Sequence, residues 1–321
     1  MKLKLYLIDA TAEKGHVLFL KKLTKILSSR FEVQIISSQA FCKAIGHSSI
    51  FELDDRLFKR PTRYHFVINQ LRILRKAIAH LPNNATVIFT GTENISFSII
   101  SYFLKHKKTY CYLHNNLDKK GLSRFFLKRT SKKVSFIALT QYINDYVEKE
   151  IGHTTHYIPH PLNLNPQNTN SSNNHVFGVN LDVSNPEIKR QLIEIQLLLG
   201  QKMYIKLNNK SKYSDTIPDV VIKKFYDNYE EVLRSASLVI LEVSYNYRVS
   251  GVVYECLALN KPIYFIGKKG KFALDILKTY PELSMEKMPL MPIVLEKRNR
   301  SYLITHGDNS ILDKWANILL N

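Results

Sequence analysis

The chain has 321 residues, of which 45% are hydrophobic and 23% charged. That composition is globular, fits about two domains, and excludes intrinsic disorder, collagen-like repeats and a disulfide-stapled mini-domain. Lys and Arg number 46 against 27 Asp and Glu, a net charge of +19, so anionic partners such as nucleic acid, phospholipid or phosphorylated substrates are expected. The excess sits at the front: 26 Lys and Arg against 11 Asp and Glu in residues 1–160, and 20 against 16 in the remainder.

Leu3–Ile8 reads as a first strand, too short an apolar run for a signal-peptide core. Asp9–Gly15 is a polar loop and His16–Ser28 has helical spacing, with Leu20, Leu23 and Leu27 on one side. Strands follow at Glu32–Ser37, Ala85–Phe89, Thr109–Leu113, Val134–Leu139 and Thr155–Ile158. Helices are expected around Tyr64–His80 and at Ile95–Lys105, Gly121–Ser131 and Gln141–Ile151. Residues 163–174 are Asn-rich, polar and uncharged, and read as a linker. The alternation then restarts with strands at Val176–Asn180, Met203–Leu207, Leu238–Val243 and Pro262–Ile266. Its helices are Pro186–Leu199, Tyr229–Ala236, Ser250–Leu259, Lys271–Thr279 and Ser310–Leu320, the last carrying Trp315. Such alternation predicts α/β halves with parallel sheets covered on both faces, whose ligands sit beyond the carboxyl ends of the strands. Two sheet domains facing a cleft are expected: 1–162, the linker 163–174, then 175–305, with a terminal helix over 306–321 packing back toward the first.

Four segments carry candidate chemistry. Ser250 is placed to cap a helix whose first amides, at Gly251 and Val252, suit a diphosphate. Glu255 lies one turn further in, where a carboxylate can accept from ribose hydroxyls; a capped helix with a surface glutamate fits the same pattern. His114 ends a buried strand and is followed by Asn115 and Asn116; it faces a cleft or is a satisfied structural histidine. The loop DATAEKGH, with Gly15 and His16 at the helix start, lacks G-x-G-x-x-G; it meets a substrate or is an ordinary strand–helix loop. Residues 119–133 hold Lys119, Lys120, Arg124, Lys128, Arg129, Lys132 and Lys133, with Phe125 among them and no acid. That mixture suits docking on an anionic bilayer, at about 1 kcal/mol per cation near the surface, or a solvated helix. Arg56–Arg63 extends the basic character. Three dispersed cysteines, Cys42, Cys111 and Cys256, make no metal spacing and fit a reducing cytosol. No P-loop, H-E-x-x-H, G-x-S-x-G or Asp-x-Asp motif is present, and no apolar run reaches the roughly 18 residues of a spanning helix.

In this order the segments resemble the GT-B glycosyltransferases, most closely the family 4-like group (glycosyl transferases group 1) of polysaccharide and glycolipid assembly. The likeness rests on Gly15-His16, TYCYLHNN, ALTQYINDYVEKEIGHTTHYIPHPL, Phe225–Leu241 and SGVVYECLALNKPIYFIG. Glu255 matches the family's second glutamate, Tyr247 stands at the first, and Asn260 replaces the glycine of Gly-Lys-Pro. The resemblance implies two Rossmann-like domains and transfer of a sugar from a nucleotide-diphosphate sugar to a saccharide or lipid-linked acceptor. It further implies retention of configuration and no metal or other cofactor. On that reading His114 orients the sugar, and Ser250, Gly251, Val252, Glu255, Arg248, Tyr247 and Lys206 serve the donor, with Lys189 and Arg190 as further phosphate-clamp candidates. Gly15 and His16 face the acceptor. The expected location is cytoplasmic, peripheral on the inner face of the cell membrane, with no nucleic-acid partner. An inverting GT-B enzyme with a carboxylate or histidine base, and a non-catalytic basic protein binding membrane or nucleic acid, are the alternatives.

Overall fold

The computed structural model describes residues 2–51, 53–59, 61–104, 108–162, 164, 175–208, 211, 217, 219–287 and 301–320. The linker expected over 163–174 lies, apart from Leu164, outside them. The chain forms two compact units. The first comprises Met1–Pro161, Tyr247–Val249 and Thr305–Asn321, and the second Leu162–Asn246 and Ser250–Ile304.

The first unit runs β1 (Lys4–Asp9), α1 (Val17–Ser28), β2 (Glu32–Ile36), α2 (Gln39–Ile45), α3 (Arg63–Ala79), β3 (Thr86–Gly91), α4 (Asn94–Ser101), β4 (Lys108–Tyr112), α5 (Leu122–Lys128), β5 (Val134–Ala138), α6 (Gln141–Tyr146) and β6 (Thr155–Tyr157). Its strands form one parallel sheet in the order β2-β1-β3-β4-β5-β6. Leu7, Ile8, Ile88, Phe89 and Ile137 are fully buried, as near-continuous apolar strands covered on both faces must be. Strand order reverses between β1 and β3, so the loops leaving these strands diverge and open a crevice at their carboxyl ends.

The second unit holds β7 (His175–Leu181), α7 (Pro186–Leu199), β8 (Lys202–Leu207), β9 (Val220–Lys223), α8 (Tyr229–Ser235), β10 (Ala236–Glu242), α9 (Gly251–Ala258), β11 (Ile263–Ile266), α10 (Lys271–Thr279) and β12 (Ser284–Met285). Its parallel order is β9-β8-β7-β10-β11-β12, with the reversal between β7 and β10. Val176, Leu192, Ile195, Ile205 and Ile240 form the core between α7 and this sheet. Helix α7 shows why its boundaries could be read from residues. Asn185 accepts the Glu187 amide at 3.0 Å, Pro186 occupies the first turn, and Gly200 closes the end with φ +60°. Two helices close the chain, α11 (Ser301–His306) and α12 (Asp308–Leu320).

Several expected bounds shift. The helix expected over 95–105 is α4, shorter and one residue earlier, because the Glu93 carboxylate accepts the Ser96 amide at 2.9 Å and caps it. The basic helix expected over 121–131 is only α5. The helix expected over 141–151 is α6 plus one wider turn over Val147–Ile151, closed by Gly152 at φ +69°.

Candidate functional site

In the first unit the loops after β1, β3 and β4 surround a pocket of about 240 Å³, whose walls include Thr11, His16, Thr92, His114, Asn116 and Lys119. It lies at the carboxyl ends of the strands, where the strand order reverses. Asp9, the last residue of β1, is fully buried. One carboxylate oxygen accepts from the Thr11 amide (3.0 Å), the Thr11 hydroxyl (2.9 Å) and the Ala12 amide (2.8 Å). The other lies 2.9 Å from His16 Nδ1 and accepts the Thr90 hydroxyl at 3.3 Å. Burial by itself would raise the Asp9 carboxyl, but the charge and hydrogen bond of His16 and the Thr11 and Ala12 donors outweigh it and hold it at about 2. An ionised Asp9 accepts the Nδ1–H of His16, and in the neutral ring that hydrogen bond fixes the tautomer whose lone pair is on Nε2, with Glu13 Oε2 4.0 Å from that nitrogen.

The local chain is built around that carboxylate. Ala12 adopts φ +47°, a left-handed conformation that a non-glycine residue holds only when its surroundings enforce it, and its amide points at Asp9. Gly91 is required for space: a Cβ there would lie 2.5 Å from both Asp9 Oδ1 and Thr11 Oγ1. Gly15 is exposed and a side chain on it would meet nothing; in the Lys14–His16 turn it is His16 that reaches the pocket wall.

His114 sits beside His16, ring centroids 4.7 Å apart, with Phe19 edge-on at 4.7 Å. Its Nε2 is buried and has no hydrogen-bond partner among the described residues. Burial holds its pKa well below the usual histidine value, reinforced by His16 and His160, opposed by Asp9, and reinforced again by Arg248. The ring is thus neutral at pH 7, able to offer one N–H and one lone pair rather than a charge. Asn116 is locked in place, donating to the Thr92 carbonyl at 3.2 Å and to Asn94 Oδ1 at 2.6 Å.

The other sequence-derived candidates fall as follows. Tyr247 and Arg248 belong to the first unit. The Tyr247 ring stacks on Tyr146 at 3.9 Å, and its amide donates to Asp118 Oδ1 at 3.0 Å. In the second unit Ser250 stands at the start of α9 but its side chain makes no capping hydrogen bond, and Gly251 has open space beside it. Glu255 is not a surface glutamate: it is 7% exposed and its carboxylate accepts the Tyr229 hydroxyl at 2.8 Å. Burial raises its pKa, with the Tyr229 hydrogen bond and, after the raising effect of Glu230, the Lys206 charge opposing. Lys206 donates to Asn180 Oδ1 at 2.7 Å, and burial lowers its pKa against the pull of Glu255. Gly251, Val252 and Lys189 are half-buried. Arg190 lies exposed on α7, paired with Glu187 at 2.8 Å and with Glu194.

Among the basic residues, Lys120, Lys128, Arg129, Lys132 and Lys133 are exposed, as is Phe125. Arg124 does not face out. It is half-buried, donating to the Leu117 carbonyl at 2.6 Å and to the Tyr146 hydroxyl. Lys119 lines the pocket. Among the described residues no group of three or more His, Cys, Asp or Glu is placed to hold a metal ion. Sequence reasoning passed over Asp9, Thr11, Asp118 and Tyr229. For Asp9 a signal existed: an acid ending an apolar strand, seven residues before a histidine at the next helix.

No family model and no curated protein matches the chain. Solved structures do. UDP-N-acetylglucosamine 2-epimerase from Rickettsia bellii aligns with 100% of this chain and 96% of its own at 12% identity, with a TM-score of 0.62. The UDP-GlcNAc 2-epimerase of Neisseria meningitidis bound to UDP-GlcNAc aligns over 99% and 100% at 11% identity, TM-score 0.55. Phytolacca americana UGT2, complexed with UDP-2fluoro-glucose and pterostilbene, aligns over 99% and 90% at 11% identity, TM-score 0.54. At such identities the likeness establishes the fold: two Rossmann-like units in the GT-B class.

Proposed function

We propose that the chain is a nucleotide-sugar-dependent glycosyltransferase that moves a glycosyl group onto a hydroxyl of a saccharide or lipid-linked acceptor, with His16 as the base. The observation that carries this reading is the buried Asp9 carboxylate 2.9 Å from His16 Nδ1 on the wall of a pocket at the sheet's switch point. A histidine oriented by a buried acid is a general base: its Nε2 takes the proton of an acceptor hydroxyl. As that oxygen attacks the anomeric carbon, the bond from that carbon to the diphosphate oxygen breaks and the nucleoside diphosphate departs. A single displacement of this kind inverts the anomeric centre. The His16–Asp9 pair therefore favours inversion over the retention that the sequence resemblance implies. His114, neutral and with an unpartnered Nε2, is suited to hold a sugar hydroxyl beside the reacting groups.

The donor half of the reading rests on the second unit. The fold is shared with proteins solved with UDP-GlcNAc and UDP-2fluoro-glucose, and Lys206, Glu255 and the start of α9 supply a cation, a carboxylate and helix amides suited to a nucleotide diphosphate. The test is transfer or hydrolysis of nucleotide sugars followed by anomer-resolved NMR of the product. An inverted product that His16→Ala abolishes supports the reading. A retained anomer removes His16 as base in a single displacement. Conversion of a UDP-sugar into its 2-epimer without release of nucleotide assigns the chain to the chemistry named for the epimerases instead.

A further inference from the structure

Helices α4 and α5 follow neighbouring strands and lie side by side. Near their starts Asn94 Nδ2 donates to the Ser123 carbonyl at 3.2 Å, and beyond their ends the Tyr102 hydroxyl donates to the Arg129 carbonyl at 2.7 Å. Along this pair large apolar side chains face solvent: Phe103 is 69% exposed, Leu122 68%, Tyr102 57%, Phe125 51% and Ile99 39%. Single exposed apolar residues are ordinary, but a group gathered on two adjoining helices marks an interaction surface.

The charges around it select the partner. Lys120, Lys128, Arg129, Lys132 and Lys133 are exposed, and residues 119–133 contain no acid. The Arg129 guanidinium lies 5.0 Å from the centre of the exposed Phe125 ring, so a cation and an apolar group are presented together. A nucleic acid would use the cations and leave Ile99 and Leu122 in water. An anionic bilayer uses both, the cations at its headgroups and the apolar tips at the acyl boundary. We propose that this α4–α5 face docks on an anionic lipid bilayer, with Phe103, Leu122 and Phe125 entering the interface. No helix among the described residues is long and apolar enough to cross a membrane, so the attachment is to one leaflet. Thr92 and Lys119, on the pocket wall, lie in the loops that lead into α4 and α5. Resting on the transferase reading, a docked protein would meet a lipid-linked acceptor at the lipid surface.

Co-sedimentation with vesicles tests the docking without nucleotide or acceptor, so its failure leaves the transferase reading standing. The protein is expected to partition onto phosphatidylglycerol–phosphatidylcholine vesicles and not onto phosphatidylcholine alone. The Phe103→Asp/Phe125→Asp variant should partition about tenfold or more less well, since each loses an apolar anchor, at an unchanged melting temperature. A Lys128→Glu/Lys133→Glu variant, which leaves the apolar side chains intact, should lose binding in parallel. Equal binding to neutral vesicles, no binding to anionic ones, or binding to anionic vesicles that survives the Phe substitutions would overturn the proposal. The same holds if single-stranded DNA binds more tightly than the vesicles.

Discussion

The site depends on how one carboxylate is held. Asp9 remains ionised inside the protein because three short hydrogen bonds and the His16 ring outweigh its burial. Asp9→Asn keeps the size, removes the charge, and unfixes the His16 tautomer, so turnover should fall about 100-fold or more while nucleotide affinity holds; steady-state rates alongside nucleotide titration would check this. Its pKa, lowered from 3.8 to about 2, means that its stabilisation is present above pH 3.8 and lost as pH falls toward 2. Gly91→Ala tests the same packing without replacing Asp9 or His16. The new Cβ must displace Asp9 or Thr11, and about a tenfold loss of turnover with a lower melting temperature is expected; an unchanged rate would mean the loop yields without moving His16. His16 was legible in the sequence as a polar residue at a helix start. Its partner left only a weak signal, since an acid at a strand end reads as the beginning of a loop until the strand order is known.

Among the elements, the last helix shows what local patterns leave open. Helix α12 has an apolar stripe anyone can read, but where the stripe docks depends on contacts some 200 residues away. Trp315 is fully buried, donates to the Tyr112 hydroxyl at 3.2 Å and meets Tyr110 edge-on at 5.7 Å. Trp315→Ala should cost the first unit about 3–5 kcal/mol, read as a shift in its denaturant midpoint. The neighbouring α11 ends in His306, which donates from Nδ1 to the His160 carbonyl at 2.7 Å. Burial lowers His306 to about 4 and His160 to about 3, so both fold neutral. Histidines with depressed pKa stabilise the fold above 6.5, and that stability is lost as pH falls toward 4 and 3. The melting temperature should therefore drop across that window, and His306→Gln, which keeps a donor but cannot titrate, should flatten the drop. Helices such as α7 were legible because their caps are local. The edge strands β9 and β12 were not, being short and lacking alternation, and neither were the short helices α2 and α11.

For the whole molecule, strand–helix alternation was enough to expect two parallel-sheet units, because the strands buried on both faces are mostly apolar. The order of those strands was beyond it, and the order is what places the pocket: the reversal between β1 and β3 brings the Asp9 loop against Gly91 and leaves space beside His114. Glu255 illustrates the same limit in the second unit. Its position on α9 was readable, but its burial against Tyr229 depends on how α8 and α9 pack beside each other across β10. A bound nucleotide sugar at about a hundred times its dissociation constant would stabilise the protein by about 2.7 kcal/mol, so a melting-temperature screen can identify the donor first. The decisive measurement is then the release of nucleoside diphosphate from that donor by the unaltered protein and by His16→Ala. Release is expected from the first, and at least about a hundredfold slower release from the second with the melting-temperature shift retained; equal rates for the two, or no nucleotide sugar that shifts the melting temperature, would remove His16 as the base of a nucleotide-sugar transferase.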